Sequence, residues 1–90
     1  MDTTITPCNT PGDHKVGTLY ASPERIEQVV GFPANCRDDE SKVKYSWGFM
    51  YKGERLGIWD YYGSYRANMF SFFGPPSLIA ELFGETNVGS

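Results

Sequence analysis

Ninety residues suffice for one small core and leave no room for a second. A formal charge of −3 argues against a protein that holds nucleic acid by neutralising phosphates, and fits one that meets a basic surface about as well as it fits ordinary solubility. No run approaches the ~18 apolar residues of a membrane helix, and the N-terminus lacks a signal peptide's basic start and apolar stretch. The expected compartment is therefore a cytoplasm. Six Phe, six Tyr and two Trp carry much of the core, and each buried aromatic side chain is worth roughly 1.5–3 kcal/mol. Cys8 and Cys36 form no metal motif and read as free thiols, with a disulfide as the alternative.

Residues 1–13 are dominated by Thr, Pro, Gly and Asp. They read as a flexible or loosely packed arm whose one apolar anchor, Ile5, could dock on the body or on a partner. A single domain is expected over 14–84. Lys15 to Ala21 predicts a first strand with Val16, Thr18 and Tyr20 on one face. His14 is the one histidine, and nothing near it in sequence would orient it as a base. Ser22-Pro23-Glu24 is a helix start: a side-chain cap, a first residue that needs no donor, and an acid at the positive end of the dipole. Ile26, Val29 and Val30 turn one narrow face to the core, and Gly31 with Pro33 ends the helix.

Residues 34–42 are polar and carry Asp38, Asp39 and Glu40. The cluster lacks the alternating ligands and the glycine of a calcium loop. No metal is expected there. It reads as a solvated loop or as the part that meets a basic patch on a partner.

The stretch from Val43 to Tyr62 organises the chain. Val43, Tyr45, Trp47, Phe49 and Tyr51 alternate, so they share one face of a strand. Lys52-Gly53 is a two-residue turn, which sets Phe49 opposite Leu56, Trp47 opposite Ile58 and Tyr45 opposite Asp60. The second face holds Lys44, Ser46, Gly48 and Met50 on one strand, and Arg55, Gly57, Trp59 and Tyr61 on the other. Gly48 opposite Gly57 leaves the sheet bare beside Trp59 and Tyr61, with Lys44 and Arg55 at its edges. An aromatic ligand such as a base could stack there. The alternative is that this face is covered and Trp59 is core.

Asp60, Tyr61, Tyr62, Tyr65 and Arg66 follow around a Gly63-Ser64 turn, with the tyrosine and arginine content of interface hot spots. Residues 67–73 predict a strand with Phe70 and Phe72 on one face and Met69, Ser71 and Phe73 on the other. Gly74-Pro75-Pro76-Ser77 breaks it, and Leu78 to Phe83 predicts a short helix closed by Gly84. This helix echoes the first, with Pro76, Ile79 and Gly84 spaced like Pro23, Ile26 and Gly31. Residues 85–90 read as a disordered tail.

The element order is α+β: a small, mainly antiparallel sheet around a central hairpin, with two short helices. An edge strand on so small a sheet invites a homodimer. A phosphate-binding glycine loop, His-Glu-x-x-His, Cys-x-x-Cys and Gly-x-Ser-x-Gly are all missing, so a binding protein without cofactor is expected rather than an enzyme.

One pattern carries a resemblance. Lys42-Val43 through Trp47, Gly53, Ile58-Trp59-Asp60-Tyr61 and the closing Leu82-Phe83-Gly84 resemble small accessory proteins of tailed bacteriophages. The resemblance covers about half of the chain and brings no catalytic residues. It implies work in the host cytoplasm against host machinery, such as an anti-CRISPR that inhibits a bacterial defence complex by stoichiometric protein binding. Asp38, Asp39, Glu40, Trp59, Asp60, Tyr61, Tyr62, Tyr65 and Arg66 are then the expected partner surface. Two alternatives stand beside it. One is a sponge for a nucleotide signal, using Lys44, Gly48, Arg55, Gly57, Trp59 and Tyr61. The other is a structural or assembly protein of the virion.

Overall fold

The computed structural model describes residues 5–7, 15–34, 45–60 and 64–89, with the side chains of Ser64 and Tyr65 outside that description. Cys8, His14 and Cys36 lie outside it as well. The strands are β1 (Thr6–Pro7), β2 (Gly17–Tyr20), β3 (Ser46–Tyr51), β4 (Glu54–Trp59), β5 (Met69–Phe73) and β6 (Val88–Gly89). The helices are α1 (Pro23–Val30) and α2 (Pro76–Phe83). The strands form one six-stranded antiparallel sheet in the order β1-β3-β4-β5-β2-β6. The fold is α+β, as the element order predicts.

The β3–β4 hairpin sits at the middle of this arrangement. Lys52 and Gly53 both have positive φ, 51° and 79°. That is the turn whose twist matches two antiparallel strands. The register follows: Trp47 pairs with Ile58, Gly48 with Gly57 and Phe49 with Leu56. One residue further out, the Asp60 amide donates to the Tyr45 carbonyl at 3.1 Å.

One sheet face bears the core. Leu19, Trp47, Phe49, Leu56, Ile58, Phe70 and Phe72 cluster there with Ile26 and Val30 of α1 and Ile79 and Phe83 of α2. Both helices therefore cover the same face. They bury equivalent positions, the fourth and eighth residues of each, which is the echo seen in sequence. Their caps differ. Ser22 Oγ accepts from the Arg25 amide at 3.1 Å, and Gly31 closes α1 with φ 88°. Pro75 offers α2 no side-chain cap. Ser22→Ala should lower unfolding stability by about 1 kcal/mol. A urea midpoint equal to wild type would show that the cap hydrogen bond contributes nothing.

The hairpin tip is tied to α2 by Lys52 Nζ donating to Glu81 Oε1 at 2.5 Å. This hydrogen bond raises the lysine above its ordinary 10.5. The stabilisation is complete below 10.5 and lost as pH rises through the folded-state value. The pair is exposed, so its share of stability is small.

Both chain ends depart from the sequence expectation. Residues 85–90 read as a disordered tail, yet Glu85–Asn87 form a 3-10 turn and Val88–Gly89 pair with Leu19 and Thr18 as β6. The side chain of Asn87 donates to the Phe83 carbonyl at 2.7 Å and anchors this return. In the N-terminal arm, Thr6–Pro7 pair with Met50 and Phe49, and Ile5 packs on the core. A two-residue strand has no periodicity to betray it; the edges of β2 and β3 create both. The two outer strands are two residues each, and Pro7 has no amide to donate.

Candidate functional site

The helix-free sheet face was the first candidate. Register places Ser46, Trp59, Ser71 and Thr18 in one row across it, and Gly48, Gly57 and Phe73 in the next. The two glycines do face each other. The face is nonetheless closed at this point: Ser46, Gly48 and Gly57 are buried, and Trp59 is 8% exposed. Trp59 is therefore not an open stacking platform on the protomer. Arg55 is exposed and pairs with Met50, while Lys44 and Tyr61 lie outside the described residues. Three large apolar side chains are exposed on this face: Val16, and the cross-strand pair Tyr20 and Met69.

Of the expected partner surface, Trp59, Asp60 and Arg66 are described in full. Asp60 is wholly buried, and its Oδ1 accepts from the Tyr45 amide at 2.5 Å. Its carboxylate and its amide both bond Tyr45 and close the open end of the hairpin. Arg66 is exposed at the end of the 3-10 turn Ser64–Ala67, which also contains Tyr65. Asp38, Asp39, Glu40 and Tyr62 lie outside the described residues. Among the described residues no group of three His, Cys, Asp or Glu side chains could hold a metal. Nor is any described helix long and apolar enough to cross a membrane.

A cleft between the start of α1 and the start of β3 has the clearest chemistry. Its volume is about 300 Å³, and Pro23, Glu24, Glu27, Pro33, Ala34, Tyr45 and Trp47 line it. Trp47 forms a fixed back wall. It is 2% exposed, and its indole Nε1 donates to the Phe32 carbonyl at 3.0 Å. The edge of Phe70 meets its ring, and Phe32 meets Phe49 in the same manner. Tyr45 lies parallel to Trp47, with ring centroids 5.8 Å apart and planes within 10°. The half-buried tyrosine extends this aromatic wall toward the mouth. Glu24 and Glu27 are exposed and three apart on α1, so they stand on one side of the helix. Among the described residues neither has an ion-pair partner, and no Lys or Arg lines the cleft.

Sequence reasoning did not select this site. In the sequence Tyr45 reads as one member of an alternation set opposite Asp60, and Glu24 as a complement to the helix dipole. The available signal was Glu24 and Glu27 at i and i+3 on the polar side of a helix flanked by Pro23 and Pro33. No protein-family model matches this chain, and neither a curated protein nor a solved structure is significantly similar to it.

Proposed function

We propose that this chain is a non-catalytic, phage-type inhibitor that binds a bacterial defence protein stoichiometrically, and that it docks a basic surface in the cleft between α1 and β3. The observation that carries this reading is the pair of exposed carboxylates, Glu24 and Glu27, without an ion-pair partner among the described residues and beside an aromatic wall. The net charge of −3 points the same way. Charge of this kind speeds encounter with a basic partner and fixes orientation. The phage resemblance makes a CRISPR–Cas or other defence complex the partner to test first.

The test is phage plaquing on hosts that carry a defined defence system, with and without the expressed chain. Expression should restore plaquing. The double reversal Glu24→Arg, Glu27→Arg should weaken inhibition by about tenfold or more while leaving the unfolding midpoint near wild type. Inhibition untouched by this reversal would remove the cleft from the mechanism. A nucleotide mass carried by the protomer in a native mass spectrum would replace this function with a sponge. Recovery of the chain in purified particles would replace it with a virion role.

A further inference from the structure

We infer that the cleft is an arginine pocket: it takes the guanidinium of one arginine side chain from the partner, an assignment that rests on the cleft being the docking site. At about 300 Å³ it lies at the small end of ligand sites. It suits a side chain better than a cofactor. Its walls are of two kinds. Tyr45, Trp47, Pro23 and Pro33 are apolar and flat, and Glu24 and Glu27 supply negative charge. An occupant that matches both must have an apolar stem and a cationic head. Lysine and arginine qualify, and both lay their methylenes along apolar surface.

The aromatic wall separates the two. The Tyr45 and Trp47 rings are stacked, parallel to within 10°, so the buried indole backs the half-buried Tyr45 ring and Tyr45 supplies the flat face. A guanidinium is itself planar and weakly hydrated, and it stacks on aromatic faces. An ammonium is a compact, strongly hydrated point charge and gains less from a plane. Guanidinium also has five donors in a fixed fork, enough to serve two carboxylates at once. Glu24 and Glu27, spaced i and i+3, present two. The site is preformed as well. Pro23 opens α1, Pro33 follows it, and the Trp47 hydrogen bond to Phe32 holds the back wall. The positive end of the α1 dipole works against a cation here, and Glu24 in the first turn offsets it.

The probe is acetyl-Gly-Arg-Gly-amide titrated into the full chain, read by NMR at the Glu24, Glu27 and Tyr45 amides and the Trp47 indole N–H. A saturable shift with a millimolar-range midpoint is expected. The lysine peptide should bind at least about threefold more weakly, and the citrulline peptide, the uncharged isostere, should not saturate. Glu24→Gln with Glu27→Gln should weaken the arginine peptide about tenfold. Tyr45→Phe should keep the preference for arginine over lysine, and Tyr45→Leu should lose it. The unfolding midpoint of each variant checks that the fold is intact. Equal binding of the arginine and lysine peptides, or no saturation by about 10 mM, overturns the assignment. If arginine preference is absent but charge reversal still breaks inhibition, docking through the cleft stands and the arginine assignment alone falls. If reversal also has no effect, both fall.

Discussion

Trp47→Ala is expected to lower unfolding stability by about 3–5 kcal/mol. A domain this size has only about 5–15 kcal/mol in all, so a large share of the margin goes. Two losses combine. The indole is 2% exposed and packs against Phe70 on one side and Tyr45 on the other, so its removal leaves a cavity between sheet and α1. The hydrogen bond from Nε1 to the Phe32 carbonyl at 3.0 Å also goes, leaving that carbonyl without this donor. Trp47→Phe separates the terms: it keeps an aromatic wall and drops the donor, and should cost about 1–3 kcal/mol. Urea unfolding followed by the fluorescence of Trp59, which remains in both variants, measures each. A loss under about 1 kcal/mol for alanine would mean that the core does not close around this residue. Because Trp47 is also the back wall of the cleft, Trp47→Phe should keep arginine-peptide binding where it folds.

Gly74→Ala is the second large effect, about 2–5 kcal/mol, from backbone strain and overpacking together. Gly74 ends β5 with φ +117°, a conformation that side chains rarely adopt. A methyl there would sit 2.9 Å from the Arg55 carbonyl and too close to the Leu56 side chain. The clash with Leu56 is with a wholly buried core residue that has nowhere to go, and the one with Arg55 is with backbone. Gly53→Ala is the control. Its φ of +79° is also positive, but nothing lies within 4 Å of the added methyl. It should cost only the strain of one left-handed residue, roughly 1–2 kcal/mol. Equal midpoints for the two variants would show that the β5 end relaxes freely and that the contact with β4 does not constrain it.

The hairpin was legible because its information is local. An alternation of large residues sets the face, and Lys52-Gly53 sets the register by tolerating two positive φ values. Helix α1 was legible for the same reason, since Ser22, Pro23 and Gly31 each act within a turn of themselves. The β5 strand and α2 follow from the same patterns, with Gly74 between them. The sequence leaves the burial of Trp59 and Asp60 open because composition says nothing of cover. The same Trp-Asp-Tyr run reads equally well as an exposed surface or as buried wall. The cleft was invisible because its two walls come from α1 and β3, and no spacing rule relates Glu24 to Tyr45.

The sequence by itself determined the α+β class, the central hairpin with its register, the two helices with their buried stripes, and the acidic balance. These depend on backbone preferences and on side-chain periods that repeat over a few residues. Tertiary structure decided which sheet face both helices cover, the two short edge strands, the burial of Trp59 and Asp60, and the meeting of Glu24 and Glu27 with the Tyr45–Trp47 wall. Those outcomes depend on which distant segments exclude water from one another, and burial is a property of the assembled surface rather than of any stretch of chain.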